Sequence, residues 1–184
     1  MTPQSRPLRR ALDAIYFASG VAAAWCLFAI FVVMLWQAFG RELGFRVQGG
    51  DDISAWLTAA SAFLGLAHTF KSGELVRVGL WLDKLGEAGR RRAEIVALCV
   101  SLGFMAWATW AMTSYVYDSW QTNELSQGLL VVPIWAPQST TVIGMTLLTI
   151  AIADELILVL RSLKPTYVVA EEDRRARGDF SDVA

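Results

Sequence analysis

An all-α integral membrane fold is what the sequence predicts: a four-helix bundle whose spans two and three are joined by an amphipathic helix lying in the interface. Three observations carry it. First, the 184 residues are 55% hydrophobic and only 18% charged, against about 25% charged in an ordinary soluble domain. Second, the charges are excluded from four windows, residues 14–40, 53–70, 95–117 and 125–153, which run 18 to 29 residues without one Asp, Glu, Lys or Arg. A soluble helix needs a polar face, and these windows offer none. A bilayer core about 30 Å thick takes about 20 helical residues, so each window crosses once and none crosses twice. Third, Lys and Arg crowd into alternate connecting segments.

The elements follow in order. Arg6, Arg9 and Arg10 precede the first apolar run, which is too long for a signal-peptide core of about 7–15 residues, so it is expected to stay as a first span over 14–40. The second span is expected over 53–70. After it, Val78, Trp81, Leu82 and Leu85 fall at i, i+3, i+4 and i+7, with Asp83, Lys84 and Glu87 opposite. Such a segment lies in the headgroup plane with its apolar side down. The adjoining Arg90, Arg91 and Arg92 would then meet anionic lipid, at about 1 kcal/mol per basic residue. The third span is expected over 95–117. Pro133 and Pro137 bracket Trp135; because proline is tolerated in a first helical turn, the last span is expected to start near one of them and reach 158, leaving 125–132 as a connection. Residues 1–160 thus read as one membrane domain and 161–184, mixed in charge and poor in apolar residues, as a polar tail.

Counting basic residues orients the chain. The N-terminal segment, the second connection and the tail hold fourteen of the 16 Lys and Arg, whereas the other two connections hold only Arg41 and Arg46. Both termini are therefore expected in the cytoplasm. Trp36, Trp56, Trp120 and Trp135 sit near the outer ends of the windows, where amphipathic rings favour the headgroup layer.

The chemical inventory is thin. With one histidine, His68, the chain cannot build a bis-histidine haem, and no cofactor is expected. Cys26 and Cys99 differ in depth by roughly 12 Å on this topology, whereas a disulfide needs Cα atoms within about 7 Å. They are expected as free thiols. Asp154 and Glu155 follow Pro133 by about 32 Å of helix, which puts them at the inner interface and not at mid-depth, where a carboxylate would mark an ion or proton path. There is no phosphate-cradling glycine loop, nucleophile elbow or metal-ligand spacing, so no catalytic or metal residue is expected. A net charge of −1 leaves no footprint for nucleic acid.

One pattern stands out. Ser54, Thr58, Ser61, Gly65, His68 and Ser72 recur at steps of three and four, placing small or hydrogen-bonding side chains along one side of the second span. Lipid gives no reason for such a face, but a neighbouring helix does: small residues let backbones approach, and hydroxyls can bond across. Thr140, Gly144, Leu147, Ala151 and Asp154 form a weaker version on the last span, and Ser19 with Ala23 a short one on the first. The neighbour could belong to the same chain or to a partner.

These residues call up a family. The run GGDDISAWLTAASAFLGLAHTFKSGELVRVGLW, with four spans and a basic amphipathic connection after the second, resembles the small membrane subunit (DctQ-like, Q subunit) of tripartite ATP-independent periplasmic (TRAP) transporters. The similar parts are an acidic residue opening the second span (Asp51 or Asp52), the Phe63-Leu64-Gly65 stretch, the Gly73-containing exit to Arg77-Val78, and Pro133-x-Trp135 before the last span. The likeness covers roughly residues 15–160. The sequence departs from the family pattern in having Asp where Glu is usual and Leu75 where a histidine is usual. The resemblance implies a multi-pass protein of the bacterial inner membrane whose partners are lipid, a large multi-span TRAP permease subunit and a periplasmic substrate-binding protein. Its role would be to scaffold the large subunit during sodium-coupled uptake of an organic acid, with the outer connections helping to dock the binding protein. Two other readings are a membrane anchor of an electron-transfer enzyme, which would hold haem or quinone, and a stand-alone small transporter or assembly protein.

Overall fold

A computed structural model describes residues 7–45, 48–72 and 87–161, except the side chains of 7–9, 87, 88 and 90. It contains four helices: α1 Pro7–Glu42, α2 Gly50–Ser72, α3 Glu87–Gln121 and α4 Trp135–Leu160. All four are long and apolar enough to cross a membrane. The anticipated interfacial segment at Val78, Trp81, Leu82 and Leu85, and the tail after Arg161, lie outside the described residues.

The helices outrun the charge-free windows. α1 takes in Arg9, Arg10 and Asp13 before its window and ends on Arg41 and Glu42, and α3 takes in Arg90, Arg91, Arg92 and Glu94. A charge limits how deep a residue sits in lipid, but the i to i−4 backbone ladder continues into water unaffected. The three arginines therefore belong to the shaft of α3. At the last span Pro133 stays outside the helix and Pro137 is the third residue of α4, in the turn where a missing N–H costs nothing.

α1 ends in a Schellman turn. Gly44, at φ 80°, donates its N–H to the Arg41 carbonyl, and Phe45 donates to that of Gly40, an arrangement whose left-handed residue favours glycine. At the other end of the molecule, Arg91 Nη2 donates to the Val159 and Leu160 carbonyls, 3.3 Å each, supplying partners to the last turn of α4.

Packing runs α1 on α2, α2 on α4 and α4 on α3, so α2 and α4 form the inner pair and α1 and α3 the flanks. The buried core lies toward the end that holds the start of α1 and the finish of α4. Tyr16 of α1, Ala67 and Phe70 of α2, Leu98 of α3, and Ala151 and Ile152 of α4 meet there. The flanking helices leave Trp25, Phe28 and Phe31 on α1, and Phe104, Trp107 and Trp110 on α3, exposed. In water such surfaces would aggregate; facing hydrocarbon or an apolar partner they cost nothing. Cys26 and Cys99 are free thiols, one on each flank.

Candidate functional site

The stripe on α2 faces α1, at least along its second half. Gly65 lies opposite Ala23, and the His68 ring packs on Gly20, so closely that a β-carbon there would come within 2.7 Å of it. His68 also sits edge-on to Phe17, with ring centroids 6.3 Å apart. Buried Ser19 and Ala23 line the α1 side. The hydroxyls, however, do not bond across the contact. Thr58 donates to the Ser54 carbonyl, Ser61 to that of Thr58 and Ser72 to that of His68, while buried Ser54 Oγ has no partner. A carbonyl three or four residues back is always within reach of a helical Ser or Thr, and it wins over a neighbouring helix. The hydroxyl pair that does cross is Thr109 of α3 with Thr149 of α4, at 3.0 Å.

The weaker motif on α4 makes the tighter contact. A β-carbon on Gly144 would lie 2.5 Å from the carbonyl carbon and oxygen of Phe63, so α2 and α4 meet backbone to backbone. Phe63 belongs to no small-residue pattern, which is why the pairing escaped a reading based on such patterns alone.

In the last turn of α2, an ion cluster ties the helices together. Lys71 Nζ donates to Asp154 Oδ2 and, at 2.9 Å, to Glu155 Oε1. Lys71 is 9% exposed and Glu155 0%. The Tyr16 ring lies 5.4 Å below the ammonium, within the range of a cation–π contact, and its buried hydroxyl has no hydrogen-bond partner. Charges this deep are expensive to dehydrate and persist only when each holds an opposite charge. Three helices thus contribute to the cluster, α1 by Tyr16, α2 by Lys71 and α4 by the acid pair. The sequence signal was a basic residue at the end of one span and two acids at the end of another. Their adjacency depends on α2 and α4 running parallel, side by side.

At the opposite end the first turn of α2 organises both connections. Asp51 accepts a 3.1 Å hydrogen bond from Gln37 of α1. Asp52 Oδ2 accepts the backbone N–H groups of Leu129, at 2.8 Å, and Leu130, at 3.2 Å. The held loop closes on itself: Leu125 pairs with Pro133 in an antiparallel bridge, Ser126 donates to the Val132 carbonyl and Ile134 to that of Glu124. Gly128 presses against the carboxylate, where a β-carbon would come within 2.3 Å of Oδ2. Trp135 then opens α4. Replacing Asp52 with alanine is expected to strip two amides of their acceptor, worth about 1–3 kcal/mol where the loop covers them. Hydrogen exchange at Leu129 and Leu130 should accelerate, while Asp52→Asn, which keeps one acceptor oxygen, should accelerate it less.

Of the residues singled out from sequence, Asp52 and Pro133 come together in this loop, with Trp135 following it in the chain, while Asp51, Gly65 and His68 meet α1. Arg91 and Arg92 stand on α3, far along the chain from them. Among the described residues no group of three or more His, Cys, Asp or Glu is placed to hold a metal ion. What the arrangement does is hold helices and a loop in fixed register.

No curated protein and no solved structure matches the chain. The family model described as tripartite ATP-independent periplasmic transporters, DctQ component, matches residues 30–162, from the middle of α1 to just past the end of α4. That match takes in Asp51 and Asp52, the Phe63–Gly144 crossing, the ion cluster's α2 and α4 members and the pinned loop, so the chain belongs to the DctQ components of TRAP transporters and is a transporter subunit rather than an enzyme.

Proposed function

We propose that this subunit braces a large multi-span permease partner so that the partner's moving part has a rigid wall to slide against, during sodium-coupled uptake of an organic acid brought by a periplasmic binding protein. The observation that carries the reading is the contrast between interior and flanks. α2 and α4 are locked by a backbone-to-backbone crossing at Gly144 and an ion cluster at Lys71, whereas α1 and α3 keep long apolar faces uncovered. A rigid centre with two broad apolar sides is suited to bearing a load in a membrane. The described residues offer an ion little: the acid pair near the end of α4 is already held by Lys71, and none of the four described helices is broken at mid-depth to offer carbonyls, as ion-carrying spans usually are.

In this reading the protein lies in the bacterial inner membrane with both termini cytoplasmic, as the distribution of basic residues favours. The amphipathic Trp81 segment and Arg90, Arg91 and Arg92 rest on the inner leaflet, while the connections at the other end lie at the periplasmic surface, the side from which the binding protein would dock. The test is to express the large subunit and binding protein with and without this chain and to follow sodium-driven uptake. Uptake should fall to background without it; undiminished uptake would discard the bracing role.

A further inference from the structure

The loop between α3 and α4 displays side chains that an aqueous loop rarely shows. Leu125, Leu129 and Val131 are 51%, 73% and 72% exposed, and from Leu125 to Ile134 the chain has no charged residue. Glu124, at the base, takes the Ser119 hydroxyl at 3.3 Å. The loop is also stiff, because Asp52 holds the Leu129 and Leu130 amides while Ser126 and Val132 bond within it. These two properties together suit the boundary between headgroups and hydrocarbon: non-helical backbone enters the hydrocarbon itself only when its N–H and C=O groups are satisfied inside the protein, and here the Gln127 and Val131 amides are left to water or headgroups.

We propose that Leu125, Leu129 and Val131 form a foot that inserts into the headgroup–acyl boundary of the leaflet at this end of the bundle. The occupant is lipid rather than a protein because the foot continues an apolar surface that already ends in an aromatic belt. Tyr117 and Trp120, in the last turns of α3 that lead into the loop, are exposed, and such rings settle at the headgroup level. The uncharged loop adds no complementary charge with which to recognise a soluble partner. Asp52 is the positioning residue: it accepts the amides and so aims the side chains. The foot would set the depth and tilt at which the bracing subunit sits, and in that sense it rests on the membrane-embedded reading above.

The experiment uses the chain in complex with its large subunit, reconstituted in phosphatidylcholine–phosphatidylglycerol nanodiscs, with Cys26 and Cys99 replaced by alanine. An environment-sensitive fluorophore is attached to a single cysteine at Leu129→Cys, Thr122→Cys or Phe104→Cys. Lipids carry a spin-label quencher either near the headgroup or near the chain end. Leu129→Cys should give blue-shifted emission, quenched more by the shallow label than by the deep one. Thr122→Cys should stay water-like, and Phe104→Cys should be quenched most by the deep label. Adding Asp52→Ala to Leu129→Cys should lower the shallow quenching. Water-like, unquenched emission from Leu129→Cys with normal quenching at Phe104→Cys would overturn the foot alone. Blue-shifted emission at Leu129→Cys that ignores the lipid labels would overturn it in favour of a protein partner, the binding protein if its addition shifts the emission and the large subunit if it does not. Quenching absent at Phe104→Cys both with and without the large subunit in the disc would remove the membrane reading on which it rests.

Discussion

Replacing Lys71 with methionine is expected to be the most damaging single change in the chain, costing about 3–5 kcal/mol, the range for stripping one partner from a buried ion pair. The reason is arithmetic of charge. One ammonium holds two carboxylates, of which Glu155 is 0% exposed and Asp154 24%; without it both lose that partner, Glu155 in the buried interior and Asp154 where water partly reaches. Glu155→Gln should be mild by comparison, about 1–2 kcal/mol, because the ammonium keeps Asp154 and the amide oxygen can still accept. The double variant Lys71→Met with Glu155→Gln should recover part of the loss, since one of the two stranded charges has gone, and such non-additivity is the mark of a direct interaction. Tyr16→Phe removes a buried hydroxyl that bonds to nothing and should change stability by less than about 1 kcal/mol, leaving the ring under the ammonium in place. Reversible unfolding in mixed micelles reads all four. If Lys71→Met unfolded like the wild type, the cluster would carry no structural weight.

The second large effect is expected at Gly144. A methyl group there would stand 2.5 Å from the Phe63 carbonyl carbon and oxygen, and backbone cannot rotate aside as a side chain can. Gly144→Ala should therefore force α2 and α4 apart at a cost of about 1–3 kcal/mol, with Gly144→Val costing more. Gly103 on α3 is the internal control, because a β-carbon there would have nothing within 4 Å. Gly103→Ala should be neutral or gain about 0.5–1 kcal/mol from helix propensity. If the bracing role is right, Gly144→Val should reduce uptake by the assembled transporter in step with the loss of α2–α4 stability. Equal behaviour of the two substitutions would show that the crossing of the inner helices is unimportant.

Both predictions concern contacts between α2 and α4, and neither contact was visible from the sequence. Asp154 and Glu155 could be placed at the right depth by counting from Pro133, and Lys71 could be seen to end its span. To join them required knowing that α2 and α4 are neighbours. The small-residue patterns were visible too, but their ranking was not. The longer α2 pattern faces α1 through a histidine ring and a glycine, while the sparser α4 pattern, at Gly144, meets backbone, the carbonyl of a phenylalanine. Asp52 illustrates the same limit differently. Its place in the first turn of α2 suits the helix dipole, and the family likeness singled out an acid there. That its carboxylate would be spent on the amides of a loop 77 and 78 residues away is a matter of tertiary approach.

By itself the sequence determined the all-helical class and the presence of four segments long and apolar enough to span, because the exclusion of charge from hydrocarbon is a local, additive property that can be summed along a chain. The tertiary structure alone decided which helices are inner and which are flanks, which pattern makes the tight contact, and which acids meet which base. Those outcomes depend on pairs of residues far apart in the chain, and lipid, being equally apolar on every side of a helix, leaves nothing in one-dimensional hydropathy to tell one neighbour from another.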